Sequence, residues 1–589
     1  MPPLRAVPLA AWALLWAAAS AQAQIDGARP TASDSVDILE DLKELQGEFE
    51  EYRQSRTPLQ DTPRGYSCDT QIGPSMCIWY GGEEGEAFPA ELREVQQARI
   101  ELIRELSEGR GRIADPWILG QLVHYMAESR NLGEAERIAR ECGIAQTWWC
   151  NALLGYVLHL GAQYVEAEEV FREAIAAMPD SVRTDFTTPR YILGEDARER
   201  FAEMTPGEQE RTWELFWRLS DPLFLFQGND RLTDHWARWV VARNRRDAAD
   251  PHGGEWDVFR EEALIRYGMN TGYSRTRSPQ RSSLLEDTRR MVGHHHPKSR
   301  GYLFPEEFLA SPSDIPPESW ITAPREARTW YAPPYAPDMR GLDTQVGRFR
   351  RGDAMLVIGA YRPTIIEQDG ERVVSPWQDG PTAEPPYASL FLVPVDGGPD
   401  VNVLGRDTVG VLSLEARPGR YVSGLEVVDR ENRRAWRARQ GVVQLPLAEG
   451  AVDVSDLMIL AEGAPLPETL DEAIPLVRPG VRLRRGETFG VVWETYGLRV
   501  LEPVRVSLGF TSGRPGFLTR VGEFLGVIEP DEAVDITFQD SGPDGVQSAF
   551  RSVRLELPDL DPGEYTLHLR LELAGRTPVV TSRPIVVVE

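Results

Sequence analysis

Three consecutive histidines, His294, His295 and His296, stand in a chain of 589 residues that has only eight. Neutral imidazoles ligate zinc or copper, usually three or four residues apart on a helix or gathered from several strands. Neighbouring residues of an extended segment point to opposite faces, so His294 and His296 can share one ion while His295 cannot readily join them. His235 in "TDHWARW" and His252 in "DPHGGEW" belong to the same stretch and could be brought in by folding. A transition-metal site drawn from His294, His296, His235 and His252 is one expectation. The other is a junction loop whose imidazoles bond backbone before Pro297, with no cofactor. No HExxH occurs, and the spacing favours the loop.

Other chemistry is fainter. No GxSxG is present; Ser274 in "GYSRT" could form a triad only if folding brought it a histidine from 294–296 and Asp257. No GxxxxGK[ST] cradles a phosphate. Nothing marks a catalytic pair among 91 carboxylates. Trp213, Trp217, Trp236, Trp239 and Trp256 crowd into 44 residues. They could form an aromatic platform for a glycan or peptide, but steps of three and four favour a core where two helices meet.

The elements that must position these residues begin after a leader. "MPPLRAVPLAAWALLWAAASAQAQ" has a basic start, a short apolar run and Ala21-Gln22-Ala23, the pattern of a signal peptide over residues 1–23. No later run is long and apolar enough for a transmembrane segment, so an exported chain of the periplasm or cell surface is expected. The net charge of −27 argues against nucleic acid as a partner. Arg outnumbers Lys 62 to 2, read here as codon bias. Cys68 with Cys77, and Cys142 with Cys150, are spaced as two small disulfide loops, each contributing roughly 2–3 kcal/mol.

Residues 24–113 read as a helical segment holding the first cysteine pair. Residues 114–182 read as helical hairpins. In "CNALLGYVLHLGAQYVEAEEVFREAIAAMP", Gly155, Tyr164, Ala167, Phe171, Ala174 and Pro179 resemble the signature of a tetratricopeptide repeat. Small residues there let two helices approach, and Phe171 fills the gap. The preceding unit aligns with Ala135 on Ala167. Such repeats imply a concave surface for a peptide or protein partner.

Residues 183–310 form a mostly helical central block. Thr205-Pro206 starts a helix that Asp221-Pro222 ends. "MTPGEQERTWELFWRLSDP", "NDRLTDHWARWVVARNR" and "REEALIRYG" resemble the GWxTD domain family of exported bacterial proteins, whose function is unknown. Phe216, Trp217, Asp221, Pro222, Arg266, Tyr267 and Gly268 carry the match, which implies a strand ending at Gly268. The GWxTD pentapeptide itself is absent.

After a Pro-rich linker at 311–341 the pattern turns β. "RFRRGDAMLVIGAY" parallels "RLRRGETFGVVWETY", and "LEARPGRYVSGLEVVD" parallels "LPDLDPGEYTLHLRLEL". Two immunoglobulin-like β-sandwiches are expected, at 342–450 and 476–589, joined by a linker at 451–475. The repeated Arg-Arg is expected in a solvated turn.

The fold class is therefore multidomain, α then β. The leading expectation is a non-catalytic interaction or assembly protein of the cell envelope that binds proteins or peptides through its helical repeats. The alternatives are an envelope hydrolase, possibly metal-assisted, with its site in residues 183–310, and a carbohydrate-binding structural protein.

Overall fold

The computed structural model describes residues 32–60, 70–73, 76–78, 90–276, 291–303, 307–366, 373–374, 386–513, 536–545 and 548–589. The leader and Cys68 lie outside the described residues.

Among the described residues eleven helices build the first half: α1 (Ala32–Arg56), α2 (Arg93–Arg112), α3 (Pro116–Glu128), α4 (Leu132–Glu141), α5 (Thr147–Leu160), α6 (Tyr164–Ala177), α7 (Asp180–Thr187), α8 (Glu195–Glu203), α9 (Pro206–Ser220), α10 (Asp230–Arg245) and α11 (Val258–Tyr267). Local chemistry sets their ends. The Asp115 carboxylate accepts from the N–H of Trp117 and Ile118 before α3. Thr205 and Glu208 close a capping box on α9, and Asn229 caps α10.

The hairpin α5–α6 packs through small residues. A Cβ on Gly155 would sit 2.8 Å from the Phe171 ring, and Ala167, Phe171 and Ala174 are wholly buried. Tyr164 opens α6, and Pro179 precedes α7. Cys142 and Cys150 form a disulfide between α4 and α5, with Cα atoms 5.7 Å apart. Helix α10 is buried along nearly its whole length, and α3, α5, α6, α7, α9 and α11 all pack on it.

Arg266-Tyr267-Gly268 ends a helix rather than the implied strand. Asp257 caps α11 at its start through the N–H of Phe259 and Arg260. Gly268, at φ +91°, terminates it. Strand β1 (Leu59–Gln60) pairs with β4 (Gly272–Thr276), which pairs with β5 (Met291–His294); β2 (Thr70–Ile72) and β3 (Met76–Ile78) form a separate ribbon. The short helix α12 (Glu307–Ala310) leads toward the second half.

Two β-sandwiches complete the chain. The first holds β6 (Asp338–Gly341), β7 (Asp343–Arg351), β8 (Ala354–Arg362), β9 (Ile365–Ile366), β10 (Val373–Val374), β11 (Tyr387–Pro394), β12 (Val401–Gly405), β13 (Gly410–Ala416), β14 (Gly419–Asp429) and β15 (Arg434–Gln444). The second holds β16 (Asp453–Val454), β17 (Met458–Ile459), the helix α13 (Leu470–Ala473), β18 (Arg482–Arg484), β19 (Thr488–Tyr496), β20 (Pro503–Ser512), β21 (Ile536–Ser541), β22 (Ala549–Glu556), β23 (Gly563–Leu573) and β24 (Val579–Val588). Their large sheets run β12-β11-β14-β15-β6 and β21-β20-β23-β24-β18, each closed by one parallel pair. The same order in both is the structural form of the sequence repeat. Gly352 and Gly486 make equivalent turns at φ +58° and +70°. In the first sandwich the Pro-Gly-x-Tyr turn is a tyrosine corner, with the Tyr421 hydroxyl donating to the Arg417 carbonyl at 2.9 Å.

Two sequence expectations change here. Residues 451–475, expected as a linker, supply β16, β17 and α13, which pack on β19 and on the first sandwich. The Arg-Arg of the first module is not solvated: Arg350 binds Asp453 at 2.8 Å, and Arg351 binds Asp471 at 2.8 Å and Glu494 at 3.4 Å. Its counterparts Arg484 and Arg485 are exposed. The first turn faces a following domain, and the second does not.

Substituting Gly155→Val should force α5 and α6 apart and lower the stability of the helical half by roughly 1–3 kcal/mol, read by urea unfolding. Adding Phe171→Leu should restore part of the loss. An unchanged midpoint for Gly155→Val would contradict this packing.

Candidate binding groove at the helix–sandwich junction

Arg437 and Arg439 alternate on β15, on the face turned away from the core of their own sandwich. Both are buried there. Arg437 donates through Nη1 to the carbonyls of Asp221 and Pro222 at 3.0 and 2.7 Å, and through Nη2 to that of Trp320. Arg439 donates to the carbonyls of Leu219 and Asp221. The last carbonyls of α9, where a helix concentrates negative potential, thus receive two guanidinium forks. Glu426 on β14 balances them. It lies 3.4 Å from Arg439 and accepts the N–H of Phe224 and Leu225, each at 3.0 Å. Burial raises the Glu426 carboxyl and lowers Arg437 to about 9.

Beneath this clamp, Asp230 opens α10 with no exposure. The hydroxyls of Tyr331 and Tyr335 donate to it at 2.5 and 3.0 Å. Burial lifts its carboxyl to about 7, against both phenol donors, with Asp234 adding to the rise. Asp221 is raised by the same cause.

Above the clamp, α6, α7, α9, α10 and the first sandwich enclose a groove of about 1440 Å³. Phe186, Trp213, Trp217, Phe224, Trp236 and Phe391 make its apolar walls. Trp213 stacks on Phe216 with centroids 5.4 Å apart, and Phe224 meets Phe391 edge-on at 5.5 Å. Arg172 lies over the Trp236 ring at 5.8 Å, and Arg439 over Phe224 at 3.9 Å. Trp217 is 3 % exposed, and its indole N–H has no acceptor among the described residues. Arg218 spans the groove mouth to Asp400 and the Gly398 carbonyl. The tryptophans serve as core and wall at once: Trp239 is sealed inside, whereas Trp217 and Trp236 line the groove.

The histidines engage different partners. His235 is buried against Trp217 and accepts from the Trp239 N–H at 3.3 Å. His252 binds Asp250 through Nδ1 at 2.9 Å. His294 Nε2 meets Ser274 Oγ at 2.7 Å, linking β4 to β5, and burial lowers this imidazole to about 4. His296 accepts from the Lys298 N–H at 3.2 Å. His295 packs against Trp330. Among the described residues no three His, Cys, Asp or Glu side chains gather as a metal-holding group. Ser274 does meet a histidine, but it is 1 % exposed, and Asp257 caps α11 instead of joining the pair.

Sequence reasoning missed Asp230, Tyr331, Tyr335, Glu426, Arg437 and Arg439. One available signal was Gly424, Glu426, Arg437, Arg439 and Gly441 on two successive strands, a face mixing charge with residues too small to fill it.

No family model and no curated protein matches this chain. Among solved structures, red sea bream transglutaminase matches at 10 % identity with a TM-score of 0.14. The match covers 42 % of this chain and 32 % of that one, about a third of its length, and carries no argument.

Replacing Arg439 by Met should leave Glu426 buried without its ion-pair partner and cost roughly 3–5 kcal/mol in urea unfolding. Adding Glu426→Gln should recover part of that. A cost under about 1 kcal/mol, the range of exposed pairs, would contradict the clamp.

The raised Asp230 carboxyl fixes a pH dependence. Between about 4 and 7 the folded chain keeps a proton that the unfolded chain has released. Its contribution is complete below about pH 4 and is lost as pH rises through about 7. Asp221, Asp234, Tyr331 and Tyr335 face the group and shape the transition. The stability of wild type should therefore fall relative to Asp230→Asn across that window; parallel curves would contradict it.

Proposed function

We propose that this chain is an exported interaction protein of the cell envelope that holds a polypeptide segment in the groove between its helical repeats and its first β-sandwich. On this reading, helices α3 to α6 are repeats of the tetratricopeptide kind and residues 183–310 are a divergent GWxTD-like domain. The observation that carries the reading is the groove itself. Its volume of about 1440 Å³ exceeds the roughly 300–1,000 Å³ of small-molecule sites, and its walls are aromatic. Aromatic side chains supply large contact area at small entropic cost, as protein-binding surfaces require. Location in the envelope rests on the leader sequence and on the disulfide between Cys142 and Cys150. No described helix is long and apolar enough to cross a membrane.

A photo-crosslinking side chain at Ala176, on the groove wall, should capture polypeptide from envelope extract. The same side chain at Leu404, exposed outside the groove, should not. Equal capture at both positions, or none at Ala176, would contradict the proposal.

A further inference from the structure

The groove's charges cancel unevenly. Arg172 pairs with Glu168 at 2.7 Å, Arg218 pairs with Asp400, and Glu208 caps α9 through Thr205. What remains on the exposed lining is Glu210, Glu214 and Asp396 against Arg211. Among the described residues none of these three carboxylates forms an ion pair. Glu210 and Glu214 are exposed one turn apart on α9, beside the Trp213 and Trp217 rings. Three unpaired carboxylates thus rim an aromatic floor.

The same walls already seat guanidinium groups on rings. Arg172 over Trp236 and Arg439 over Phe224 are the chain's own examples. A ring face attracts a cation through its quadrupole, and a nearby carboxylate strengthens the attraction when water is excluded.

Resting on the groove reading above, we infer that the occupant is a cationic polypeptide segment, with arginine or lysine side chains alternating with apolar ones. The apolar side chains lie on Trp213, Trp236 and Phe391. The cations reach Glu210, Glu214 and Asp396. The net charge of −27 steers such a partner toward the chain from a distance, at a rate that falls with salt. An acidic or phosphorylated segment meets repulsion at the same rim.

The test uses the full mature chain and three synthetic peptides of equal length, in which Leu and Trp alternate with Arg, with Ser or with Glu. Binding is read by calorimetry at low and physiological salt. The Arg peptide should bind best, with affinity falling as salt rises, and the Glu peptide should fail. The double variant Glu210→Arg with Glu214→Arg should weaken the Arg peptide by about tenfold or more and improve the Glu peptide. Both positions are exposed, so the variant should unfold at the wild-type midpoint, which separates lost charge from lost fold. If the Ser and Arg peptides bind equally, or the Glu peptide binds best, the cationic assignment falls while the polypeptide groove stands. If none of the three binds, both fall together.

Discussion

Two buried arginines on one strand hold the end of one helix, and the groove depends on them. Arg437 and Arg439 give four of their donors to the carbonyls of Leu219, Asp221 and Pro222, and a fifth to Trp320. An α-helix ends with carbonyls that lack partners, and burying them bare costs on the order of 1–3 kcal/mol each. The sandwich supplies the missing donors, and Glu426 supplies the charge that makes two buried cations tolerable. Because the clamp lies under Phe224 and Asp221, it also sets the separation between α9 and β11, which is the width of the groove.

The same device recurs at two other junctions. Arg238 on α10 donates to the carbonyls of Ile265, Arg266 and Trp330, and closes the end of α11. Arg583 on β24 donates to Leu457 and Val346, tying the second sandwich to the first. Each use needs a planar fork that spans two acceptors and stays charged when buried, which an ammonium group does not offer. The chain has 62 Arg against 2 Lys, and these junctions show what the fold does with the arginines.

Much of the architecture was legible in sequence because its signals are local. Capping residues, Gly155 against Phe171, and the duplicated strand-and-turn modules all act within one hairpin or one sandwich. The junctions were not legible. Arg437 and Arg439 occupy the positions that alternation assigns to solvent, and only the covering helices make them interior. Gly441 on the same face shows how close the cover lies: a Cβ there would fall 1.7 Å from the Ser313 carbonyl oxygen. The first module's Arg350 and Arg351 misled for the same reason, since Asp453 and Asp471 reach them from the segment expected as a linker. The histidines of 294–296 drew attention by type, yet each is engaged locally and none lines the groove.

A surface of this kind is specific only if the helices and the sandwich close on the same ligand. Hydrogen–deuterium exchange on the full mature chain, with and without the Arg–Leu–Trp peptide, tests that most directly. Binding in the groove predicts slower exchange in residues 164–177, 206–220 and 387–394 together, on both walls, with the second sandwich unchanged. Protection confined to one wall, or centred on the second sandwich, would contradict the account.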